Sequence, residues 1–359
     1  MMLELPSGSS HQMNARIEAA NAASSSAASA RPAGRRVAPD LAAAIPLFAF
    51  AVIFFLVDAR SREARLATPA GIAGLLAFAA TTAAILSLSV AAWRDRLRAS
   101  RAPDTLKLLA GPLALLLFVV SYAAAAGLPI AERAITFSAF LLAPAVVLLA
   151  TRRRPPAQSR EPAPRNVLVA AALLWLPIEF RLLPALPQPP PDGFNGVPLV
   201  ALASGLYLFL VARPLDGIGY TFRLTRRDFA TALLATAAFA PVAIPIGLAT
   251  GFLEWRPQVT ATTLLAAPLA IYLATGIPEE FLFRGLIQNA TVRWMGGAAG
   301  FILASVIFGL AHLPDWRYVA LASPAGAAYG WVYAKTGKIT AAAVTHAAVD
   351  WLWILLLRA

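Results

Sequence analysis

The chain has 359 residues, of which 59% are hydrophobic and only 13% are charged, and its mean hydropathy is +0.68. This composition excludes an ordinary soluble domain. The formal net charge of +12 lies mainly in short Arg-rich loops, which in a membrane protein indicates topology and contact with anionic lipid rather than nucleic-acid binding. The sequence contains no cysteine, so disulfides, thiolate metal sites and cysteine nucleophiles are excluded as well.

Apolar runs long enough to span a bilayer recur along the chain. About 20 consecutive apolar residues cross a membrane as a helix. The runs here are continuously apolar, whereas the strands of a spanning β-barrel alternate apolar and polar residues. We therefore predict an all-α fold, a polytopic transmembrane helical bundle of about 11 spans. The predicted spans are residues 41–58, 69–93, 108–126, 134–150, 167–183, 197–212, 228–250, 262–289, 298–312, 319–335 and 338–357. Residues 184–196 are too Pro-rich to be helical.

Composition divides the chain into segments. Residues 1–39 are rich in Ala, Ser and Arg without a sustained apolar run, so they predict a disordered N-terminal tail with no signal-peptide core. His11 lies in this tail and is expected to be solvent-exposed and inert. Residues 40–150 predict an N-terminal transmembrane extension, and the charged, Pro-rich residues 151–165 predict a linker. Residues 166–359 form the second block of spans.

Positive charge alternates across the predicted spans. The basic segments are the N-terminal tail, residues 94–107, 151–165 and 213–227, and the pair Lys335 and Lys338. This alternation predicts a cytoplasmic N-terminus, although the basic loop at 60–65 breaks the pattern. The Ala- and Arg-rich composition is typical of a high-GC bacterium, so we expect a multi-pass integral protein of the bacterial inner membrane.

Two adjacent carboxylates, Glu279 and Glu280, lie inside one long apolar run. An ionisable group at the bilayer centre costs at least about 2.5–3.5 kcal/mol, so such a pair is expected to face a protein-lined cavity. Arg284 shares a helix face with Glu280 at the i, i+4 spacing, which leaves Glu279 as the freer carboxylate. Gly276 and Pro278 predict a kink or a widened turn just before the pair. The alternative is a purely structural Glu–Arg pair that is neutralised for burial.

Two further polar motifs follow on separate predicted spans. Phe308-Gly-Leu-Ala-His312 ends one span, and His346-Ala-Ala-Val-Asp350 lies inside another. A lone histidine in an apolar helix is most often a packed core or interfacial residue. The i, i+4 spacing places His346 and Asp350 on one helix face, where Asp350 is expected to fix the tautomer of His346 by accepting its N–H.

Together these groups supply the parts for amide hydrolysis without a covalent nucleophile. A buried carboxylate can deprotonate a water near neutral pH. One histidine can share that proton and pass it to a leaving amine, and another can donate to a developing oxyanion. The same side chains, namely Glu279, His312 and His346, could instead hold a divalent metal such as zinc that activates the water, although no HExxH motif is present.

The three motifs resemble those of the CAAX protease and bacteriocin-processing family of intramembrane proteases, which includes the Ras-converting CAAX prenyl endopeptidases. The family pattern is E-E-x-x-x-R, then F-x-x-x-H, then H-x-x-x-N or D, all in order on separate helices. The matching residues here are Glu279, Glu280, Arg284, Phe308, His312, His346 and Asp350. The resemblance covers residues 279–350 directly and extends plausibly over 166–359, with the active site inside this C-terminal bundle.

The resemblance implies an endopeptidase of the glutamate type that needs no cofactor. In that mechanism Glu279 is the base for the attacking water, and His312 helps to orient or protonate the reacting groups. His346, with Asp350, sits at the oxyanion, where an ionised Asp350 cannot donate as an asparagine would. Glu280 also belongs to the catalytic set, in a mainly supporting role.

Arg284 and Phe308 complete the implied site as supporting residues, Arg284 beside Glu280 and Phe308 by shaping the cavity. The implied partners are the lipid bilayer and a membrane-associated protein or peptide as substrate, and no nucleic acid. No oligomeric state is predicted. The first four spans contain no buried acid–base cluster, so we expect them to form a packing or regulatory extension.

Two other functions use the same residues differently. A non-proteolytic membrane scaffold of the immunity type would use the polar cluster to hold a partner helix. A proton-coupled transporter would use it as a relay, but all the polar groups cluster in the C-terminal block and no repeat relates the two blocks, which argues against a transporter.

Overall fold

The structure of the chain is a computed structural model that describes residues 34–61, 66–150, 161–189 and 193–358. Most of the predicted tail, including His11, lies outside the described residues. The same holds for residues 151–160 of the predicted linker and for most of the basic loop at 60–65. The predictions for those segments therefore remain predictions.

Helices form nearly all of the described chain, which confirms the all-α fold class. The N-terminal helices are α1 (Gly34–Ser61), α2 (Pro69–Ser87), α3 (Ala91–Arg98), α4 (Asp104–Ala125) and α5 (Ile130–Ala150). The second block contains α6 (Pro164–Glu179), α7 (Val197–Ala212), α8 (Arg226–Ala249), α9 (Thr262–Met295), α10 (Gly297–Leu310), α11 (Trp316–Thr336) and α12 (Ile339–Leu356). Two antiparallel pairs of two-residue strands complete it, β1 (Pro187–Gln188) with β2 (Phe194–Asn195), and β3 (Glu254–Trp255) with β4 (Leu357–Arg358).

Each predicted span overlaps at least one of these helices, but the helices differ in their ability to cross a membrane. Among the described residues, seven helices are long and apolar enough by length and composition: α1, α2, α4, α5, α8, α9 and α12. The apolar helices α7 and α10 are shorter. Neither α6 nor α11 meets these criteria, so the predicted count of about 11 spans remains a prediction.

Two predicted boundaries are wrong. Helix α1 begins at Gly34, so residues 34–39 are helical rather than the end of a disordered tail. The predicted span 69–93 is broken after Ser87, and α3 begins separately at Ala91. The break has a physical cause, because side chains compete there for backbone groups: Ser89 Oγ donates to Leu86 O at 2.7 Å, and the Asp40 carboxylate accepts from Ala91 N at 3.1 Å.

The Pro-rich loop at 184–196 is not helical, as predicted, but it contains the unpredicted strand pair β1–β2. Asn195 closes this hairpin, because its side-chain oxygen accepts from Leu186 N at 3.1 Å and from Val197 N at 3.2 Å. The hairpin thereby leads directly into α7.

The N-terminal extension packs against the second block, and a continuous hydrophobic core contains buried side chains from both. Polar contacts reinforce this packing. Tyr207 on α7 donates to Lys107 O on α4 at 2.7 Å. Glu161, at the end of the predicted linker, accepts from Arg293 Nη1 at 2.7 Å and from Asp216 N at 2.8 Å. The linker therefore ends against the helices of the second block, and any regulatory role of the extension remains a prediction.

Helices α10 and α11 approach each other closely at Gly309. A Cβ atom at this position would clash with Ser323 Oγ and would lie 3.0 Å from Ser323 Cβ. We therefore expect Gly309→Ala to lower the stability of the purified protein by about 1–3 kcal/mol, through overpacking. Thermal unfolding in detergent measures this effect. Gly309→Ala combined with Ser323→Gly should recover part of the loss, and an unchanged melting temperature in the single variant would contradict the close approach.

Candidate active site

Helix α9 carries the twin glutamates and is not a regular α-helix. Residues Tyr272–Gly276 and Phe281–Gln288 are π-helical, and the short α-helical turn Ile277–Glu280 lies between them. The widened turn predicted from Gly276 and Pro278 is therefore present, and such π-helical turns are frequent at functional sites. Gly276 also allows α9 to approach α12, because a Cβ there would lie only 3.1 Å from Ala343 O.

The two glutamates occupy different environments. The Glu280 side chain is completely enclosed, whereas the Glu279 side chain is 34% exposed. Glu280 Oε1 accepts from Arg284 Nη1 and from His346 Nδ1, each at 2.8 Å. Its other oxygen, Oε2, is buried without a hydrogen-bond partner in the described part of the chain. Glu280 is thus a buried anion between an arginine and a histidine, and Glu279 is the accessible carboxylate.

Arg284 is buried and fully engaged. Besides Glu280, its guanidinium donates through Nη2 to Gly326 O on α11 at 2.9 Å. The guanidinium carbon lies 4.4 Å from the centre of the Phe308 ring and 5.1 Å from that of Tyr329, distances at which cation–π attraction is expected. Arg284 therefore ties α9 to α11 and compensates the charge of Glu280.

His346 lies between the two glutamates. A carboxylate only accepts, so Nδ1 carries the proton that is donated to Glu280. On the opposite side of the ring, Nε2 lies 3.5 Å from Asp350 Oδ2 and 3.7 Å from Glu279 Oε2. Nδ1 therefore donates to Glu280 on α9 the short hydrogen bond that orients the ring, and the expected role of Asp350 in fixing the tautomer remains a prediction.

His312 follows the end of α10 at Leu310. Its Nδ1 lies 2.9 Å from Phe308 O, and since a carbonyl oxygen only accepts, Nδ1 donates and the neutral ring keeps its lone pair on Nε2. The Tyr318 ring packs edge-on against His312, with ring centres 4.3 Å apart. Phe308 in turn contacts both histidine rings, at centre distances of 5.0 Å and 5.9 Å, so it separates and positions them.

Two cavities meet at these residues. The His346 cavity, of about 130 Å³, is lined by Glu279, Phe308, His312, Tyr329, His346 and Asp350, among others. The Trp175 cavity, of about 310 Å³, is lined by Trp175, Glu179, Pro278, Glu279, Phe283 and His312, among others. Glu279, His312 and Thr275 line both cavities. The structure therefore brings the predicted residues to one place, with Glu280 and Arg284 behind the cavity wall.

A metal-dependent version of the site would need at least three of these side chains around one ion. No group of three His, Cys, Asp or Glu side chains in the described ranges is arranged to hold a metal ion, and this includes Glu279, His312 and His346. Both Nδ1 atoms are engaged as donors, to Phe308 O and to Glu280. The choice between the metal-free and the metal-dependent reaction therefore remains a prediction.

One comparison with known proteins gives a match. Residues 261–352 match the sequence model of a protein family described as Rce1-like, type II CAAX prenyl endopeptidase. The match covers 92 of the 359 residues and supports membership of the CAAX protease family. No significant match was found among curated proteins or among solved structures.

The CAAX protease segment, residues 261–352, contains all three motifs and runs from the start of α9 into α12. It confirms the family resemblance that the motifs predicted. Together with the seven apolar helices, it identifies the chain as an integral membrane protein.

Several residues of the site have no signal in the three motifs. Tyr329 stacks on His346 with ring centres 4.7 Å apart and an interplanar angle of 21°, and Trp175 forms a wall of the second cavity on α6. Aromatic residues in apolar helices are common, so neither stands out in the sequence. The small residues Ala325, Gly326 and Gly330 around Tyr329 are the only hint, because they indicate a helix that packs closely against its neighbours.

The stacking of Tyr329 on His346 leads to a prediction. Tyr329→Phe keeps the ring and is expected to retain most activity, whereas Tyr329→Leu removes the aromatic face that holds the imidazole. Since aromatic pairs contribute about 0.5–1.5 kcal/mol, we expect the leucine variant to lose roughly two- to tenfold in kcat. Steady-state kinetics on a verified substrate measures this, and equal losses in both variants would assign the role to the hydroxyl instead.

Proposed function

We propose that the protein is an intramembrane endopeptidase that hydrolyses a peptide bond in a membrane-associated protein or peptide. One observation carries this proposal: of the two adjacent carboxylates, only Glu279 is accessible, and it lies where the two cavities meet. An accessible carboxylate beside a histidine is the arrangement required for activating a water. The family match supports a hydrolase of the CAAX protease type in general.

In the proposed reaction Glu279 removes a proton from a water, which attacks the carbonyl carbon of the substrate. The gap of 3.7 Å between Glu279 Oε2 and His346 Nε2 is too long for a direct hydrogen bond and suits an atom that contacts both groups. His312 Nε2, with its free lone pair, is the second acceptor at the cavity junction. It receives the proton from Glu279 or the water and passes it to the leaving amine.

His346 is proposed to stabilise the oxyanion. When Nε2 carries a proton, it points to the side of Glu279 and Asp350, and it can donate to the carbonyl oxygen as negative charge develops there. Asp350 Oδ2, 3.5 Å from Nε2, favours this protonated form by its charge. Such a donor is effective because it is held in place before the reaction, and the bond from Nδ1 to Glu280 provides that restraint.

Glu280, Arg284 and Phe308 are proposed as positioning residues. Glu280 holds His346, Arg284 compensates the charge of Glu280, and the Phe308 ring separates the two histidines. None of these three is expected to contact the reacting atoms.

We further propose that the protein lies in the inner membrane of a bacterium with its N-terminus in the cytoplasm.

The proposed function is tested by comparing the membrane and secreted peptidomes of cells that carry wild type or Glu279→Ala at matched expression. We expect a set of new peptide termini to be present only with the wild type, and these termini identify the substrate. Glu132→Gln, in the N-terminal extension, serves as the matched control and should resemble wild type. Identical peptidomes, together with a partner that remains bound to both proteins, would instead assign the chain to the non-proteolytic scaffolds.

The metal-free mechanism predicts that chelators do not inhibit. Treatment of the purified protein with EDTA or 1,10-phenanthroline should leave the cleavage rate unchanged, because the described residues form no three-ligand site. The measurement is the rate before and after chelation, with metal content determined on the same sample. Loss of activity on chelation that zinc restores would establish the metal-dependent version.

A further inference from the structure

The Trp175 cavity is not needed for the chemistry described above, yet it opens onto the same carboxylate. It shares Glu279 and His312 with the His346 cavity and continues away from them between α6, α7 and α9. A polypeptide cleaved at Glu279 extends on both sides of the scissile bond. One side has the His346 cavity available, and the other side has the Trp175 cavity.

We propose, on the basis of the proposed function, that the Trp175 cavity binds the substrate on one side of the scissile bond and that Glu179 selects a basic side chain there. The substrate class is therefore an apolar peptide segment with a Lys or Arg close to the cleavage site.

The walls of the Trp175 cavity suit the apolar part of such a segment. Its volume of about 310 Å³ lies in the range of small-ligand sites, which are mostly apolar with a few polar groups that fix orientation. Trp175 packs edge-on against Phe283, with ring centres 5.3 Å apart and an interplanar angle of 70°, so the two rings form one aromatic wall. Leu174, Ile178, Leu202 and Leu282 add further apolar surface.

Glu179 provides a negative charge in the wall of the Trp175 cavity. Apart from Glu279 and His312 at the junction, it is the one charged residue among those that line this cavity. Its Oε2 accepts from Trp175 Nε1 at 3.2 Å, and no cation lies within ion-pair distance of it in the described part of the chain. Glu179 is also close enough to His312 to interact with it electrostatically.

The position of Glu179 at the end of its helix is unfavourable for a negative charge. It is the last residue of α6, and a negative charge at the C-terminus of a helix opposes the helix dipole. A carboxylate that is exposed, has no cationic partner among the described residues and lies next to an apolar cavity is suited to a ligand that supplies the missing charge. Lys and Arg side chains suit both the apolar wall and the carboxylate, because their apolar stem packs along the wall and their cationic head reaches the carboxylate.

The experiment uses the purified full-length protein in proteoliposomes and synthetic apolar peptides that carry either Lys or Gln at each position in turn. The readout is the ratio of cleavage rates for each Lys and Gln pair in wild type, Glu179→Gln and Glu179→Lys, with Glu132→Gln as the control. We expect wild type and the control to favour Lys by about two- to fivefold at a position on one side of the bond. Glu179→Gln should lose this preference, and Glu179→Lys should favour Gln over Lys at the same position.

A second arm measures binding of the same fluorescent peptides to the protein with Glu279→Gln, with and without Glu179→Gln. Cleavage with an identical Lys to Gln ratio in all variants overturns the selectivity of Glu179 and leaves the proposed hydrolysis intact. Lys-dependent binding that Glu179→Gln abolishes, without cleavage by wild type, overturns the hydrolysis and leaves the binding site intact. If the peptides are neither cleaved nor bound, both the hydrolysis and the binding site are overturned.

Discussion

His346→Gln is expected to lower kcat by about 10²–10³-fold, the usual cost of removing one donor to a developing oxyanion. The imidazole donates through Nδ1 to Glu280 at 2.8 Å, while Nε2 lies 3.7 Å from Glu279 Oε2. A glutamine amide can still donate to Glu280, but it cannot carry a proton on a second ring nitrogen towards the cavity. The loss should therefore appear in kcat, measured with purified protein and a verified peptide substrate.

A comparison with His346→Leu separates chemistry from structure. Leucine leaves Glu280 without its second donor, so we expect the leucine variant to lose thermal stability as well as activity. His346→Gln should instead retain a melting temperature close to that of wild type. If His346→Gln turned over at the wild-type rate, His346 would be only a structural partner of Glu280.

Arg284→Met is expected to destabilise the protein by about 3–5 kcal/mol, the cost of leaving a buried charge without its partner. Glu280 is fully enclosed and one of its oxygens already has no hydrogen-bond partner among the described residues. Methionine also removes the bond from Arg284 Nη2 to Gly326 O, which joins α9 to α11. Thermal unfolding in detergent should show a large decrease in melting temperature.

The double variant Arg284→Met with Glu280→Gln tests the reason for that decrease. Because Glu280→Gln removes the unpaired charge, the double variant should be more stable than Arg284→Met alone. Arg317→Met is the matched control: Arg317 donates hydrogen bonds that lower the pKa of Asp315, but this pair lies at the surface, where such pairs contribute little. Equal decreases in the single and double variants would show that lost packing, and not the unpaired charge, is the cause.

Local spacing in the sequence predicted the contacts within one helix. The i, i+4 rule predicted the bond between Arg284 and Glu280, and Gly276 with Pro278 predicted the widened turn before them. Both depend only on neighbouring residues, so no knowledge of the fold was needed. The break after Ser87 was missed, since it requires Asp40 to reach Ala91 from another helix.

Contacts between helices could not be predicted in the same way. The i, i+4 rule placed Asp350 beside His346, but the closest partner of that ring is Glu280, which is 66 residues away in the sequence. The stacking of Tyr329 and the meeting of two cavities at Glu279 likewise depend on how α6, α9, α11 and α12 pack. The motifs therefore identified the residues of the candidate site. The different environments of the twin glutamates could be recognised only from the fold.

The central claim is that Glu279 activates the water that cleaves a peptide bond. Purified wild type and Glu279→Gln, incubated with the same verified peptide in water enriched in ¹⁸O, test it in one mass-spectrometric measurement. We predict that wild type produces a new carboxyl terminus that carries one solvent oxygen and that Glu279→Gln produces none above background. Labelled product formed by Glu279→Gln at the wild-type rate would contradict the assignment of Glu279 as the base.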